Sequence, residues 1–368
     1  ETNRRTPEAT RKKIEELYGG RYKGMGPVYF TEKLWSEHKI RIDHETVRRM
    51  LIKAGLWQVK RRKLAKHKPW REPKGHFGEM VQMDGSHHRW FGDRGEQCCL
   101  MVMIDDATGR RMSLMSKQET TEAAMRLLWR WIDRYGVPKS LYVDKKNVFV
   151  PAEKDAENAR IEGRECLTQF GRACKLLGIE IIRAHSPEAK GRVERTNKVY
   201  QDRLVNELLL KEISGIDETN EMLQSWFDND LNERFARPPR ESADYHRSAE
   251  GLDLAAIFCV EQERKLSAHW TLSFENRVYQ IRSHTNHYSP ARTSVQVRSY
   301  LDGRLHMFYR GIEVEFHEID PKVKESERTS VPPSVTGAHV KARGRRKPAP
   351  DHPWRRSQMH VPPPLQTL

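Results

Sequence analysis

The strongest constraint on folding lies between Gly78 and Leu204, where three apolar runs come in immediate succession and are followed by alternating helical and extended segments. EMVQMDGSHHRWF, EQCCLMVMIDDATGR and RRMSLMSKQ are separated by turns bearing Gly and Asp, which predicts consecutive strands joined by hairpins. TEAAMRLLWRWIDRYG then places Ala124, Leu127, Leu128, Trp131 and Ile132 on one helical face. After Pro138, SLYVDKKNVFV reads as a buried strand ending in polar residues. A charged insertion, PAEKDAENARIEGRE, leads to LTQFGRACKLLG as a helix, IEIIRA as a short strand and AHSPEAKGRVERTNKVYQDRL as a long helix. This order predicts an α/β core around a mixed five-stranded sheet, with ligand-binding groups at strand ends where loops release side chains from the interior.

The flanks differ in character. Three short helices are predicted in TRKKIEELYG, GPVYFTEKLWSEHK and DHETVRRMLIKAGLW, with Ile14 and Leu17, then Val28, Leu34 and Trp35, then Val47, Met50 and Leu51 as narrow apolar faces. Asp43 is placed to cap the third, which turns Thr46, Arg48 and Arg49 outward, as the recognition helix of a helix-turn-helix unit would. The resulting division is a helix-turn-helix domain over 1–57, a basic linker over 58–76, the α/β core over 77–212, a helical connector over 213–266, a small β-barrel over 267–320 and a disordered basic tail over 321–368.

Charge follows the same division. Residues 1–76 carry a net +12 and residues 321–368 a net +7, which leaves the middle of this +15 chain mildly acidic. Basic ends of this kind fit a nucleic-acid partner, because Lys and Arg neutralise phosphates. Arg61, Arg62 and Lys63 in the linker are candidate backbone contacts. No apolar run reaches the roughly 18 residues that span a bilayer, so no membrane partner is expected and a cytoplasmic, nucleoid-associated location is. Cys98, Cys99, Cys166, Cys174 and Cys259 lack the spacing of a zinc site and read as reduced, mostly buried thiols. The chain does not open on Met, and a preceding segment is expected.

Two carboxylates end apolar strands, Asp84 in MVQMDGS and Asp144 in LYVDKKN. A buried charge costs several kcal/mol unless paired or metal-bound, so a cleft or metal site suits them better than a core. Glu194, on the later helix, adds a third carboxylate, with intervals of 60 and 50 residues along the series. Such a trio suits phosphoryl transfer assisted by two divalent ions about 3.5–4 Å apart, with Mg²⁺ favoured for its preference for oxygen ligands and Mn²⁺ as its substitute. Lys190, Arg192, Arg195 and Lys198 around Glu194 would then lie along phosphates. Glu194, Asn197, Lys198 and Gln201 share one helical face, and Val193, Tyr200, Leu204 and Leu208 another.

The strings VQMDGSHHRWF, LYVDKKNVF and AHSPEAKGRVERTNKVYQDRL resemble the catalytic signatures of integrase-core, DDE-type transposases of insertion sequences, and the phrasing is nearest to the ISNCY family. The resemblance continues through NERFARPPRESADYH to the C-terminal β unit. It implies a ribonuclease-H-like core in which Asp84, Asp144 and Glu194 are the metal-binding triad of an enzyme that cuts element ends and joins the freed 3′-hydroxyls to target DNA. It also implies double-stranded DNA as partner, and a homodimer or larger synaptic complex because two ends are joined together. Two departures stand out: the interval between Asp144 and Glu194 is longer than in retroviral-type integrases, and no Cys precedes Cys98 to build their zinc-binding N-terminal domain. A ribonuclease-H-like nuclease and a DNA-binding regulator derived from an inactive element are the rival readings. Among secondary candidates, at most one of His87 and His88 faces the site, since neighbours on a strand point opposite ways. Asp105 and Asp106 are expected to serve a hairpin turn, Trp129 and Trp131 the core, and His185 either to order the Glu194 helix or to approach the site.

Overall fold

The computed structural model describes residues 6–58, 72–144, 148–149, 151–163, 165–183, 191–282 and 292–319. The meander is present as β1 (Val81–His88), β2 (Cys98–Asp105) and β3 (Arg111–Ser116). It is followed by α4 (Thr121–Tyr135), β4 (Ser140–Val143), α5 (Glu153–Ile161), α6 (Gln169–Leu176), β5 (Glu180–Arg183) and α7 (Gly191–Leu210). The strands form one mixed sheet in the order β3-β2-β1-β4-β5, with β1, β2 and β3 antiparallel and β4 and β5 parallel to β1. This is the mixed five-stranded sheet with helices that the sequence predicts. The charged insertion contributes a helix of its own, α5.

Both faces of the sheet are covered, which is why CCLMVMID in β2 reads as an unbroken apolar run and is buried at every position. Cys99, Met101 and Met103 face Ala124, Leu127, Leu128 and Trp131 of α4. Cys98, Leu100 and Val102 face Tyr200, Leu204 and Leu208 of α7. The α4 helix is capped by Thr120, whose side chain accepts from the Ala123 N–H, and ends at Gly136, which sits at φ 98°.

Beyond α7 come α8 (Ile216–Met222), a π-turn over Leu223–Phe227 and α9 (Asp228–Phe235). These helices finish the edge of the sheet with side chains in place of another strand. Asn220 exchanges hydrogen bonds with the backbone N–H and C=O of Met115, and Asn232 does the same at Arg111. Between them Asp228 accepts from the Ser113 N–H and Oγ and from Tyr200 Oη. The outward groups of β3 are thereby satisfied, closing an edge that would otherwise be open to pairing. The expected helical connector ends early, at Phe235. Pro238 and Pro239 follow, and the chain runs extended past the core through bridges of Phe77 with Asp244 and Val137 with Arg247.

The N-terminal helices are α1 (Glu8–Gly19), α2 (Pro27–His38) and α3 (His44–Lys53). Asp43 caps α3 by accepting from the Glu45 and Thr46 N–H groups. The buried face of α2 is Tyr29, Phe30 and Leu34. Val28 and Trp35, expected inside, are 50 % and 54 % exposed because the aromatic rings of Tyr18, Tyr22 and Phe30 fill the interior instead. This bundle is fastened to α7 by polar contacts: Tyr29 and Lys33 to buried Glu207, and Arg203 to Glu32.

After the short α10 (Leu254–Ile257), the C-terminal strands are β6 (Cys259–Lys265), β7 (Thr271–Phe274), β8 (Arg277–Ile281), β9 (Ser294–Tyr300), β10 (Leu305–Tyr309), β11 (Ile312–Glu313) and β12 (Phe316–Ile319). They form a four-stranded sheet, β11-β10-β9-β6, and a three-stranded sheet, β12-β8-β7. No closed barrel is present among the described residues, which corrects the barrel expected from the sequence. Strand β6, in the segment expected to be helical, takes an edge of the larger sheet by pairing along β9. Chain contacts divide the molecule into one unit of 1–272 with 280–317 and a second of 273–279 with 318–368. The expected basic tail lies outside the described residues, as does most of the expected linker. Among the described residues no helix is long and apolar enough to cross a membrane.

Candidate carboxylate site

Asp84 lies in β1, Asp144 immediately follows β4, and Glu194 stands in the first turn of α7. All three are half-buried. Strands β1 and β4 are parallel neighbours, with Gln82 in register with Tyr142, and each Asp follows its member of that pair by two residues. A step of two keeps a side chain on the same face of a strand, which sets Asp84, in the fourth of eight positions of β1, level with Asp144 just past the end of β4. Asp84 therefore sits inside its strand, where the sequence suggests a strand end, because β1 continues its pairing with β2 as far as His88. The α7 helix lies over that face. Asn197 Nδ2 donates to Asp84 Oδ2 at 3.1 Å and Gln201 Nε2 donates to Ser86 Oγ at 3.2 Å. Glu194 is one turn before Asn197 on the same face of α7.

Asn197 is the residue the sequence reading placed on this face without giving it a task. It is 9 % exposed, and its Oδ1 is buried with no hydrogen-bond partner among the described residues. Orphaned buried oxygens are rare, and this one belongs to the amide that holds Asp84, which makes it a candidate further hard donor. Among the described residues, the tightest grouping of His, Cys, Asp and Glu ligand atoms is a different one, His87, Cys99 and Glu119, which does not include the three carboxylates.

The cations near Glu194 take unlike positions. Arg195 and Lys198 are exposed, and Arg195 Nε donates to the Gly191 carbonyl. Arg192 is turned inward: its Nε lies 2.9 Å from Oδ1 of Asp106, a side chain with no solvent exposure. Asp106 Oδ1 also accepts from Gln82 Nε2, and its Oδ2 from the Lys74 N–H. The expectation that Asp105 and Asp106 both serve the turn therefore divides. Asp105 does so, accepting from the Thr108 N–H and Oγ1, while Asp106 ties β1, the segment before it and α7 together. Adjacent residues at a strand end point to opposite sides, which is the one sequence signal for that split. Lys190, His185, Arg61, Arg62 and Lys63 lie outside the described residues.

On α3, Arg48 makes a two-pronged bond to Glu45 and Arg49 donates to the same carboxylate. The hydrogen bonds from these two guanidinium groups hold Glu45 down to about 2. Arg49 remains 77 % exposed and Thr46 lies beside it in the first turn.

Comparison with known proteins adds an independent line. No protein-family model matches the chain. Transposase y4bF of Sinorhizobium fredii (strain NBRC 101917 / NGR234) is 34 % identical over 358 residues, covering 95 % of this chain and 76 % of that protein. The transposase for insertion sequence IS1202 of Streptococcus pneumoniae is 28 % identical over 354 residues, covering 84 % of this chain and 75 % of that protein. Among solved structures, the dimeric HTLV-2 integrase catalytic core domain in complex with magnesium aligns at 20 % identity and a TM-score of 0.30, over 41 % of this chain and 86 % of that one. Identity of 34 % sustained along nearly the whole sequence decides the matter: this chain belongs to the transposase family.

Proposed function

We propose that this transposase is of the DDE type, of an insertion sequence nearest to the ISNCY family, and that Asp84, Asp144 and Glu194 are its catalytic carboxylates. The observation that carries the reading is Asp84 within β1 and Asp144 just past β4, each two residues beyond an in-register pair, with Asn197 of the helix that bears Glu194 donating to Asp84. The donor set fits a hard divalent cation. Three carboxylates and the orphaned Asn197 Oδ1 offer only oxygen, and their half-buried setting leaves room for water and phosphate ligands. Two Mg²⁺ ions, replaceable by Mn²⁺, are the proposed cofactors; when bound they supply an activated attacking oxygen and a stabilised leaving oxygen.

The protein's own groups then divide the remaining work. The Asn197 amide fixes the orientation of Asp84 from α7, so the helix that carries Glu194 also sets a strand carboxylate. Arg195, Lys198 and Lys190 attract the phosphate backbone, and the linker residues Arg61, Arg62 and Lys63 are further phosphate contacts. Arg192 belongs to the scaffold, through Asp106. The N-terminal bundle acts as a helix-turn-helix unit that reads element ends with Thr46, Arg48 and Arg49 of α3. Double-stranded DNA is the substrate, at both ends and target, and a homodimer or larger complex brings two ends together.

The direct test is Asp144→Asn, assayed on DNA carrying the element ends. Cleavage and joining are expected to fall below detection while DNA binding persists, since the change removes a carboxylate donor and no phosphate contact. Near-normal joining by that variant would overturn the assignment. Nicking without joining by the unmodified chain would favour a nuclease, and binding without either a regulator.

A further inference from the structure

On the opposite face of β1 from Asp84, three side chains of quite different chemistry come together. His87 of β1 and Cys99 of β2 are direct cross-strand partners. Glu119 arrives from the residue before the Thr120 cap of α4. His87 Nε2 lies 3.6 Å from Glu119 Oε2, and the ligand atoms of all three residues lie within 4.8 Å of one another. We propose that His87, Cys99 and Glu119 form a second metal site, for a borderline divalent ion of the Zn²⁺ class.

Donor chemistry separates this site from the carboxylate one. Mg²⁺ and Ca²⁺ take oxygen ligands, whereas a thiolate and an imidazole select Zn²⁺ and its neighbours. Three protein ligands with an open fourth position make a familiar zinc arrangement. The open position is available here, because His87 and Glu119 line a cavity of about 820 Å³ together with Phe91, Cys98, Lys117 and Val148. Gly85 supplies an independent observation. A Cβ at that position would fall 2.5 Å from Glu119 Oε2 and 3.0 Å from Cys99 Sγ, so the strand gives up a side chain where these two ligands converge. Glycine weakens a strand interior, and its presence in one marks a close approach.

Binding would release the Cys99 thiol proton to solvent as the sulfur takes the metal. The bound ion would staple the start of α4 to β1 and β2, with its β1 ligand three residues along the strand from Asp84. The site is independent of the roles proposed for Asp84, Asp144 and Glu194.

Cobalt(II) is the probe, titrated into the chelator-stripped full chain. One equivalent is expected to produce a thiolate-to-cobalt charge-transfer band, which Asp144→Asn leaves unchanged and Cys99→Ser abolishes. His87→Ala, at a position 47 % exposed and so safe for folding, is expected to weaken cobalt binding at least about tenfold. Absence of the band in the unmodified chain, its survival in Cys99→Ser, its loss in Asp144→Asn, or undiminished affinity in His87→Ala would each overturn the proposal.

Discussion

Replacing Arg192 by Met removes the guanidinium that lies against Asp106 while the Gln82 and Lys74 donors stay in place. Breaking a buried ion pair costs about 3–5 kcal/mol, chiefly because the remaining charge is stranded in a medium of low polarity. Two structural facts bring the figure to the lower end: the Arg192 side chain is 24 % exposed, and Asp106 keeps two short hydrogen bonds. A loss of about 3 kcal/mol is therefore expected, or roughly 6–12 °C in the unfolding midpoint of a core of this size. Circular dichroism melts of Arg192→Met, Asp106→Asn and the double variant measure it. In the double variant no charge is stranded, so it is expected to regain a large part of the loss, with a coupling of about 1–3 kcal/mol. DNA affinity at moderate salt is expected to change little, because the guanidinium is committed inward. An unchanged midpoint in Arg192→Met, accompanied by a marked fall in DNA affinity, would refute the scaffold role and return Arg192 to the phosphate-binding set.

Two further outcomes follow from named contacts. Burial is the main reason why Asp228, beneath Tyr200 and Ser113, is pushed up to about 6. Its proton is thus held more tightly in the folded chain than in the unfolded one, so its contribution to stability is full below the unfolded value and is lost as pH rises toward about 6, an effect of about 3 kcal/mol. Asp228→Asn is expected to remove that slope, and a stability difference between the two proteins that stays constant from about pH 4 to 7 would sink the account. Arg49→Ala, at the exposed face of α3, is expected to weaken binding to end-bearing DNA about fivefold to a hundredfold with no change in melting; equal effects on end-bearing and unrelated DNA would show that Arg49 contacts phosphates alone.

Much of the core was legible in the chain because local patterns and tertiary burial agree there. An apolar run covered on both faces looks the same in sequence and in structure, and β2 is such a run. Turns bearing Gly and Asp separated the meander, and Asp43 capped α3 where a side-chain oxygen was predicted. Asp84 and Asp144 stood out for a related reason: charged residues in or beside apolar strands conflict with packing, and that conflict is visible without coordinates, whereas Glu194 was added from the helix that follows.

Sequence periodicity by itself determined which segments become strands and helices in the core, and it singled out Asp84, Asp144 and Glu194, since both depend on neighbours within a few positions. Side-chain partners depend on residues far apart in the chain, and only the tertiary structure decided those. It turned Arg192 inward onto Asp106, set Asn197 on Asp84 across 113 positions, and brought Glu119 to His87 and Cys99. It also left the C-terminal strands as two sheets, because alternation marks a strand and its faces but says nothing of which edges pair.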